Sequence, residues 1–188
     1  MWAIVKDSKL VQITPGNKSI TVGEVVHPKD VFRHWTKTQL KDIGVYEFIS
    51  GSPPDTRFET STTPSYKVDD SAGTVTETIN KKDKDLDDLK KTYTEQIQKQ
   101  AASLLAPTDW MVVRKAEDSS KSIPNAVSTF RASTRTEADK IVQALSDCDT
   151  LDKLKALFVT EYNTDGSVKT LATMQSLPTD EDIESYKR

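Results

Sequence analysis

Apolar and polar positions alternate with a period of two through residues 1–80, and the period lengthens to nearly four beyond them. A two-residue period marks strands that bury one face, and a 3.6-residue period marks helices that bury one stripe. Trp2 to Val5 and Leu10 to Ile13 flank the polar Lys6-Asp7-Ser8-Lys9, which predicts a hairpin. After the Pro15-Gly16-Asn17 turn, Ile20, Val22 and Val25 alternate around Gly23-Glu24 and predict a second strand pair. Thr36 is placed to cap a short helix, Lys37 to Ile43, that Gly44 ends, and Val45 to Ile49 resumes an extended strand. Ser50 to Pro64, rich in Ser, Thr and Pro, predicts an exposed loop. Tyr66 to Val68 and Thr74 to Ile79 are joined by Asp69-Asp70-Ser71-Ala72-Gly73, a hairpin turn in which Gly73 supplies a positive φ. Together these elements predict a small, mostly antiparallel β-domain over residues 1–80.

Asn80 to Lys84 predicts a charged hinge, since the segment from Lys81 to Asp85 has nothing to bury. Leu86, Leu89, Tyr93, Ile97, Ala101 and Leu104 then lie on one stripe of a helix about five turns long, with Asp87, Asp88, Lys90, Lys91 and Glu95 on its wet side. Pro107 stops that helix, and Thr108 and Asp109 are placed to cap the next segment. A second helix starts at Pro124 and is expected to bury Val127, Phe130, Ala138, Ile141, Val142 and Leu145; a third runs from Leu151 to Phe158. Val159 to Tyr162 and Ser167 to Leu171 flank Asn163-Thr164-Asp165-Gly166, a hairpin signal, and Thr179 with Asp182 is expected to cap an acidic final helix. The predicted class is α+β: an antiparallel β-domain (1–80), a helical domain built on a hairpin (81–158) and a small αβ extension (159–188).

Composition narrows the function. An apolar fraction of 35% and a mean hydropathy of -0.57 favour an elongated molecule with modest cores, completed by a partner or by copies of itself. A net charge of -3 with no basic stripe argues against nucleic-acid binding. No run reaches the ~20 apolar residues of a membrane span, and charge arrives too early, at Lys6 and Asp7, for a signal peptide, so the chain is expected to stay in the cytoplasm where it is made. Cys148 is the lone cysteine, which leaves no intrachain disulfide framework.

Leu104 to Arg135 holds three features in close order: Pro107-Thr108-Asp109-Trp110, Ile123-Pro124, and Phe130-Arg131 with Arg135 four residues later. The block resembles a segment of small tail proteins of tailed bacteriophages, of the tail-fibre assembly and tail-assembly-chaperone type, with Phe130 where a Tyr is usual. His27 to Val45 is similar to an element of those proteins that runs from a proline through an aromatic strand into a short helix closed by glycine. The resemblance fades from Val159 onward. It implies a non-enzymatic structural or adaptor protein of the virion, in the tail or a tail fibre, partnered by other tail or fibre proteins and by copies of itself. The alternative it implies is an assembly chaperone that does not stay in the particle.

The residue types that do chemistry are sparse. His27, His34 and Cys148 make at best an incomplete zinc set, so no metal and no cofactor is expected. Asp87 and Asp88 are helix neighbours whose side chains diverge by about 100°, and Asp69-Asp70 sits in a turn. A carbohydrate-active enzyme is therefore the remote reading, with no acid and base pair to nominate. Asn163-Thr164-Asp165-Gly166 shares part of a calcium loop but lacks the other ligand positions. Interface candidates are Trp35, Trp110, Phe130, Arg131 and Arg135 with the stripe residues Leu86, Leu89, Tyr93 and Ile97, because tryptophan, tyrosine and arginine dominate binding hot spots. Trp110 is expected to pack in the angle between two helices or to anchor a partner. Arg131 and Arg135 are expected to pair with Glu117 or Asp118, or with a partner's carboxylate. The long helix needs cover, either from the second helix in an antiparallel hairpin or from copies of itself in a bundle.

Overall fold

A computed structural model describes residues 1–186, the side chain of Asp182 excepted, and the chain is α+β. It divides into two compact units, Met1–Asp83 and Lys84–Arg188.

In the first unit, β1 (Trp2–Lys6) and β2 (Lys9–Thr14) pair across a two-residue turn in which Asp7 and Ser8 both take positive φ, 50° and 57°. That turn twists with the strands it joins. β3 (Ile20–Val22) and β4 (Val25–His27) pair across Gly23-Glu24, with Gly23 at φ 62°. Then come α1 (Val31–His34) and α2 (Lys37–Asp42), the second opened by a capping box in which Thr36 and Gln39 satisfy each other's backbone N–H. The remaining strands are β5 (Val45–Ile49), β6 (Glu59–Ser61), β7 (Ser65–Asp69), β8 (Thr74–Thr78) and β9 (Lys81–Asp83).

The main sheet has five strands in the order β2-β1-β5-β8-β7. Its pairs are antiparallel except β5 with β8, which run parallel in the register Phe48 opposite Val75. Both faces are covered. Ala3, Val5, Tyr46, Phe48 and Val75 gather on one face with Leu10, Ile13 and Val68 against them. Ile4 and Val45 gather on the other with Ile20, Val31 and Leu40, contributed by β3, α1 and α2. The sheet curls until its two edge strands, β2 and β7, touch. A bulge at Val11 of β2, opposite the step from Ile4 to Val5, adds to the twist. At that meeting of edges the Asp70 carboxylate accepts from Ser8 Oγ and, at 2.8 Å, from Tyr46 Oη.

Three expectations for this half need correction. Residues 31–34 form one helical turn rather than an aromatic strand, because that turn aims Val31 and Phe32 into the core while Arg33 and His34 stay exposed. The predicted loop 50–64 contains β6 and, beside it, Phe58, which is 1% exposed. The predicted hinge 80–84 contains β9, which pairs with β6 so that Thr60 faces Lys82. Such pairing uses main-chain groups, and side chains polar on both faces give no alternation to read. The division of the chain accordingly falls at 83/84 rather than 80/81.

In the second unit, α3 (Leu86–Leu105) starts at Asp85, whose carboxylate accepts from the N–H groups of Asp87 and Asp88. A 3-10 turn, Ala106–Thr108, leads directly into α4 (Asp109–Glu117). α5 (Asn125–Ser146) begins one residue after Pro124, and α6 (Leu151–Ala156) is capped by Thr150. β10 (Glu161–Tyr162) and β11 (Val168–Thr170) form a small hairpin, and 3-10 turns at Thr173–Gln175 and Glu181–Tyr186 close the unit.

α3 packs along α5 as an antiparallel pair. Lys90 Nζ on α3 donates at 2.8 Å each to the Ser146 and Cys148 carbonyls at the far end of α5, a cation at a helix C-terminus. The buried stripe of α3 is Leu89, Ile97 and Ala101, and α5 buries Val127, Phe130, Arg131, Thr134, Ala138, Ile141 and Leu145. Of the two covers weighed for the long helix, its own chain supplies the hairpin. Trp110 lies on α4 rather than in an inter-helix turn, and the Thr108 side chain makes no cap. The last segment is a 3-10 turn rather than an acidic α-helix, held by Ile183 in a cluster with Met111, Val127 and Phe130. The Asp182 side chain, needed for the expected pairing with Thr179, lies outside the described residues. Residues 159–186 belong to this second unit rather than to a third.

Candidate functional site

The last carbonyls of a helix have no partner within it and must find one elsewhere. Pro107 has no N–H to continue α3, so the chain tightens into the 3-10 turn that Leu105 opens, and the Leu105 carbonyl also takes donors from side chains. Thr108 Oγ1 donates to it at 3.0 Å, and Arg131 Nη1 on α5 donates to it at 2.8 Å. The same Nη1 donates to Thr108 Oγ1 at 2.7 Å, while Nη2 donates to Asp109 Oδ1 at 2.7 Å. Thr108 is fully buried and Arg131 is 7% exposed, whereas the Asp109 side chain is 58% exposed. Asp109 also opens α4, where negative charge meets the positive end of the helix dipole. The Thr-Asp of one motif and the Arg of the other are thus two sides of one joint between α3, α4 and α5.

Trp110 is half-buried, packed on the Met111, Val127 and Phe130 cluster, with the Arg114 guanidinium 4.9 Å from its ring centroid. The expected pairing of Arg131 and Arg135 with Glu117 or Asp118 is replaced by the Asp109 contact. Arg135 is exposed and its Nη1 lies 3.5 Å from the Arg131 carbonyl. Asp118 instead accepts from Ser120 N–H at 3.0 Å and Ser120 Oγ at 2.6 Å, which holds its carboxyl below the usual range.

The interface candidates therefore separate. Leu89, Ile97, Phe130 and Arg131 are buried inside their own unit and, contrary to expectation, present nothing to a partner. Leu86 and Tyr93 are half-buried, and Tyr93 stacks edge-on to Phe158 with centroids 4.8 Å apart. Trp35, in the β unit, is 36% exposed and lies edge-on to His27. Arg135, Trp35 and the outer part of Trp110 remain accessible. No expectation joined Thr108 and Asp109 to Arg131, although one signal existed: Arg131 sits at i+4 from Val127 on the apolar stripe of α5, and a charge in such a stripe needs a buried partner.

Several groups with chemical potential have local partners. Asp69 accepts from Ser71 Oγ at 2.6 Å and from the N–H of Ser71 and Ala72, and these bonds depress its pKa. Asp70 is depressed by Ser8 and Tyr46, and the Tyr46 phenol is raised chiefly by its bond to Asp70. Asp165 accepts from Ser167 N–H and Oγ, which makes Asn163 to Ser167 a plain turn. The Cys148 thiol is buried, donates to the Ala144 carbonyl and is pushed up by that burial. Among the described residues no three His, Cys, Asp or Glu side chains gather as a metal site would need. No helix among them is long and apolar enough to cross a membrane.

What the second unit offers outward is surface. Val159, Tyr162, Val168 and Leu171 are exposed on and beside the β10–β11 hairpin. An open groove of about 340 Å³ runs between α3 and α5, and another of about 450 Å³ lies between α3 and the Met174 to Leu177 segment. No family model, no curated protein and no solved structure matches the chain.

Proposed function

We propose that the chain is a non-enzymatic structural or adaptor protein of a tailed-phage particle, associated with the tail or a tail fibre, which acts through the faces its units present to neighbours. The observation that carries this reading is the joint of Leu105, Thr108 and Asp109 with Arg131. The residues that resemble the tail-protein segment are spent on fixing the course of three helices, which is the role of a scaffold motif rather than of a reactive one. Exposed apolar side chains at Val159, Tyr162, Val168 and Leu171 supply contact surface of the kind an assembly partner buries. The expected partners are other tail or fibre proteins and copies of the chain itself.

A tail or tail-fibre assembly chaperone would use the same surfaces and leave before the particle matures. Quantitative mass spectrometry separates the two readings. The structural role predicts many copies of the chain per purified particle. The chaperone role predicts its presence with tail proteins in infected-cell lysate and its absence from particles. Absence from both associations would overturn the proposal.

A further inference from the structure

We infer that the groove between α3 and α5 is a self-association face, occupied by the same face of a second copy of this chain in a two-fold dimer. The groove is lined by Gln98, Ala101 and Ala102 on α3 and by Arg135, Ala138 and Asp139 on α5. Ala101 and Ala138 are buried at its floor, and Ala102, Gln98, Arg135 and Asp139 are exposed at its rim. Small side chains along an open seam let another helix approach closely.

The charges on α5 identify the occupant. Arg135 and Asp139 stand one turn apart on the same face, about 6 Å along the axis. Basic before acidic is the weaker order for pairing within a helix, and among the described residues no ion pair joins the two. Asp139 makes no ion pair with any other described residue. An antiparallel copy of α5 with the two-fold axis between these positions sets each Arg135 opposite its partner's carboxylate at the equivalent of position 139. Both pairs form at once, because an isologous contact repeats every interaction. A heterologous partner would have to carry this opposite-charge spacing in reverse; a second copy carries it by symmetry.

Length supports the same arrangement. α5 has 22 residues, about 33 Å, so two antiparallel α3–α5 hairpins packed face to face make a four-helix bundle of ordinary proportions. Contact along that length is what an interface of ~800 Å² per partner requires. The inference does not depend on the particle to which the chain belongs.

The test is sedimentation equilibrium of the full chain over a concentration series, with Arg135→Glu and Asp139→Arg as variants. Wild type is expected to dimerise, and each reversal to weaken the dimer by about tenfold or more through like charges set opposite one another. Both positions are exposed, so each variant keeps the wild-type circular dichroism and, at concentrations low enough for the wild type to be monomeric, its melting transition. Mixing the two variants restores a dimer, now mixed, since the introduced glutamate meets the introduced arginine in one contact and the unchanged Asp139 of one chain meets the unchanged Arg135 of the other in the second. A wild-type chain that stays monomeric overturns the inference. So does a dimer indifferent to both reversals, or a pair of variants that fails to combine on mixing.

Discussion

Arg131→Ala removes three donated hydrogen bonds from the joint between α3, α4 and α5, and their worth depends on the partners each acceptor retains. Leu105 O keeps the Thr108 hydroxyl, so it is weakened rather than orphaned. Thr108 Oγ1 is fully buried and loses its charged donor, a loss of about 1 to 3 kcal/mol. The Asp109 side chain is 58% exposed and rehydrates, which keeps the total below the ~3 to 5 kcal/mol typical of breaking a wholly buried ion pair. With the packing of the lost stem included, the expected destabilisation is about 3 kcal/mol. At about 2 to 4 °C per kcal/mol for a chain of this size, the melting transition falls by roughly 6 to 12 °C. Arg131→Lys should cost about 2 kcal/mol, because one ammonium cannot serve three acceptors arranged for a planar fork. Asp109→Asn should cost about 1 kcal/mol, since its ion pair is screened by solvent. Thermal and urea unfolding of the three variants measure the series. If Asp109→Asn costs as much as Arg131→Ala, the ion pair and not the two neutral acceptors holds the joint. If Arg131→Ala unfolds like wild type, the joint holds nothing.

Trp110→Ala should cost about 2 kcal/mol, less than the ~3 to 5 of a fully buried aromatic, because the indole is only half-buried; calorimetry reads the shift. In acid the tie from Ser8 and Tyr46 to Asp70 should give way. The folded pKa of Asp70 is depressed, so its contribution is present above the unfolded value of about 3.9 and is lost as pH falls through the folded value. Asp70→Asn should therefore remove part of the acid-induced loss of stability, and equal acid profiles for the two proteins would count against the tie. Limited trypsin digestion should cut first after Lys121, in the exposed link between α4 and α5, and only later after Lys81 or Lys82, whose strand is paired with β6; the reverse order would contradict the β6–β9 ladder.

Local chemistry was legible wherever a residue type answers a backbone demand. Thr36 announced the start of α2, Gly73 at φ 67° the β7–β8 turn, and Pro124 the start of α5. The stripe from Leu86 to Leu104 announced α3 to within a residue at its C-terminal end. Non-local pairing was not legible. Glu59, Thr60 and Ser61 meet Asp83, Lys82 and Lys81 through main-chain bonds, and polar side chains on both faces leave no pattern. The parallel step from β5 to β8 depends on how β7 returns along the far edge, which periodicity does not encode. The site was half legible. The sequence marked Thr108, Asp109 and Arg131 as belonging to motifs, but nothing local said that Arg131, 23 positions on from Thr108, closes back on the end of α3. The Asp-x-Ser spacing at Asp69, Asp118 and Asp165 was legible in principle, since each aspartate accepts from the N–H and Oγ of the serine two residues later.

A cryo-EM map of intact particles tests the proposed role most directly. The account predicts density for the antiparallel α3–α5 pair, with the Trp110 and Arg131 side chains at its joint, repeated with the symmetry of the tail or fibre. A map in which every tail and fibre density is accounted for by other chains would contradict it.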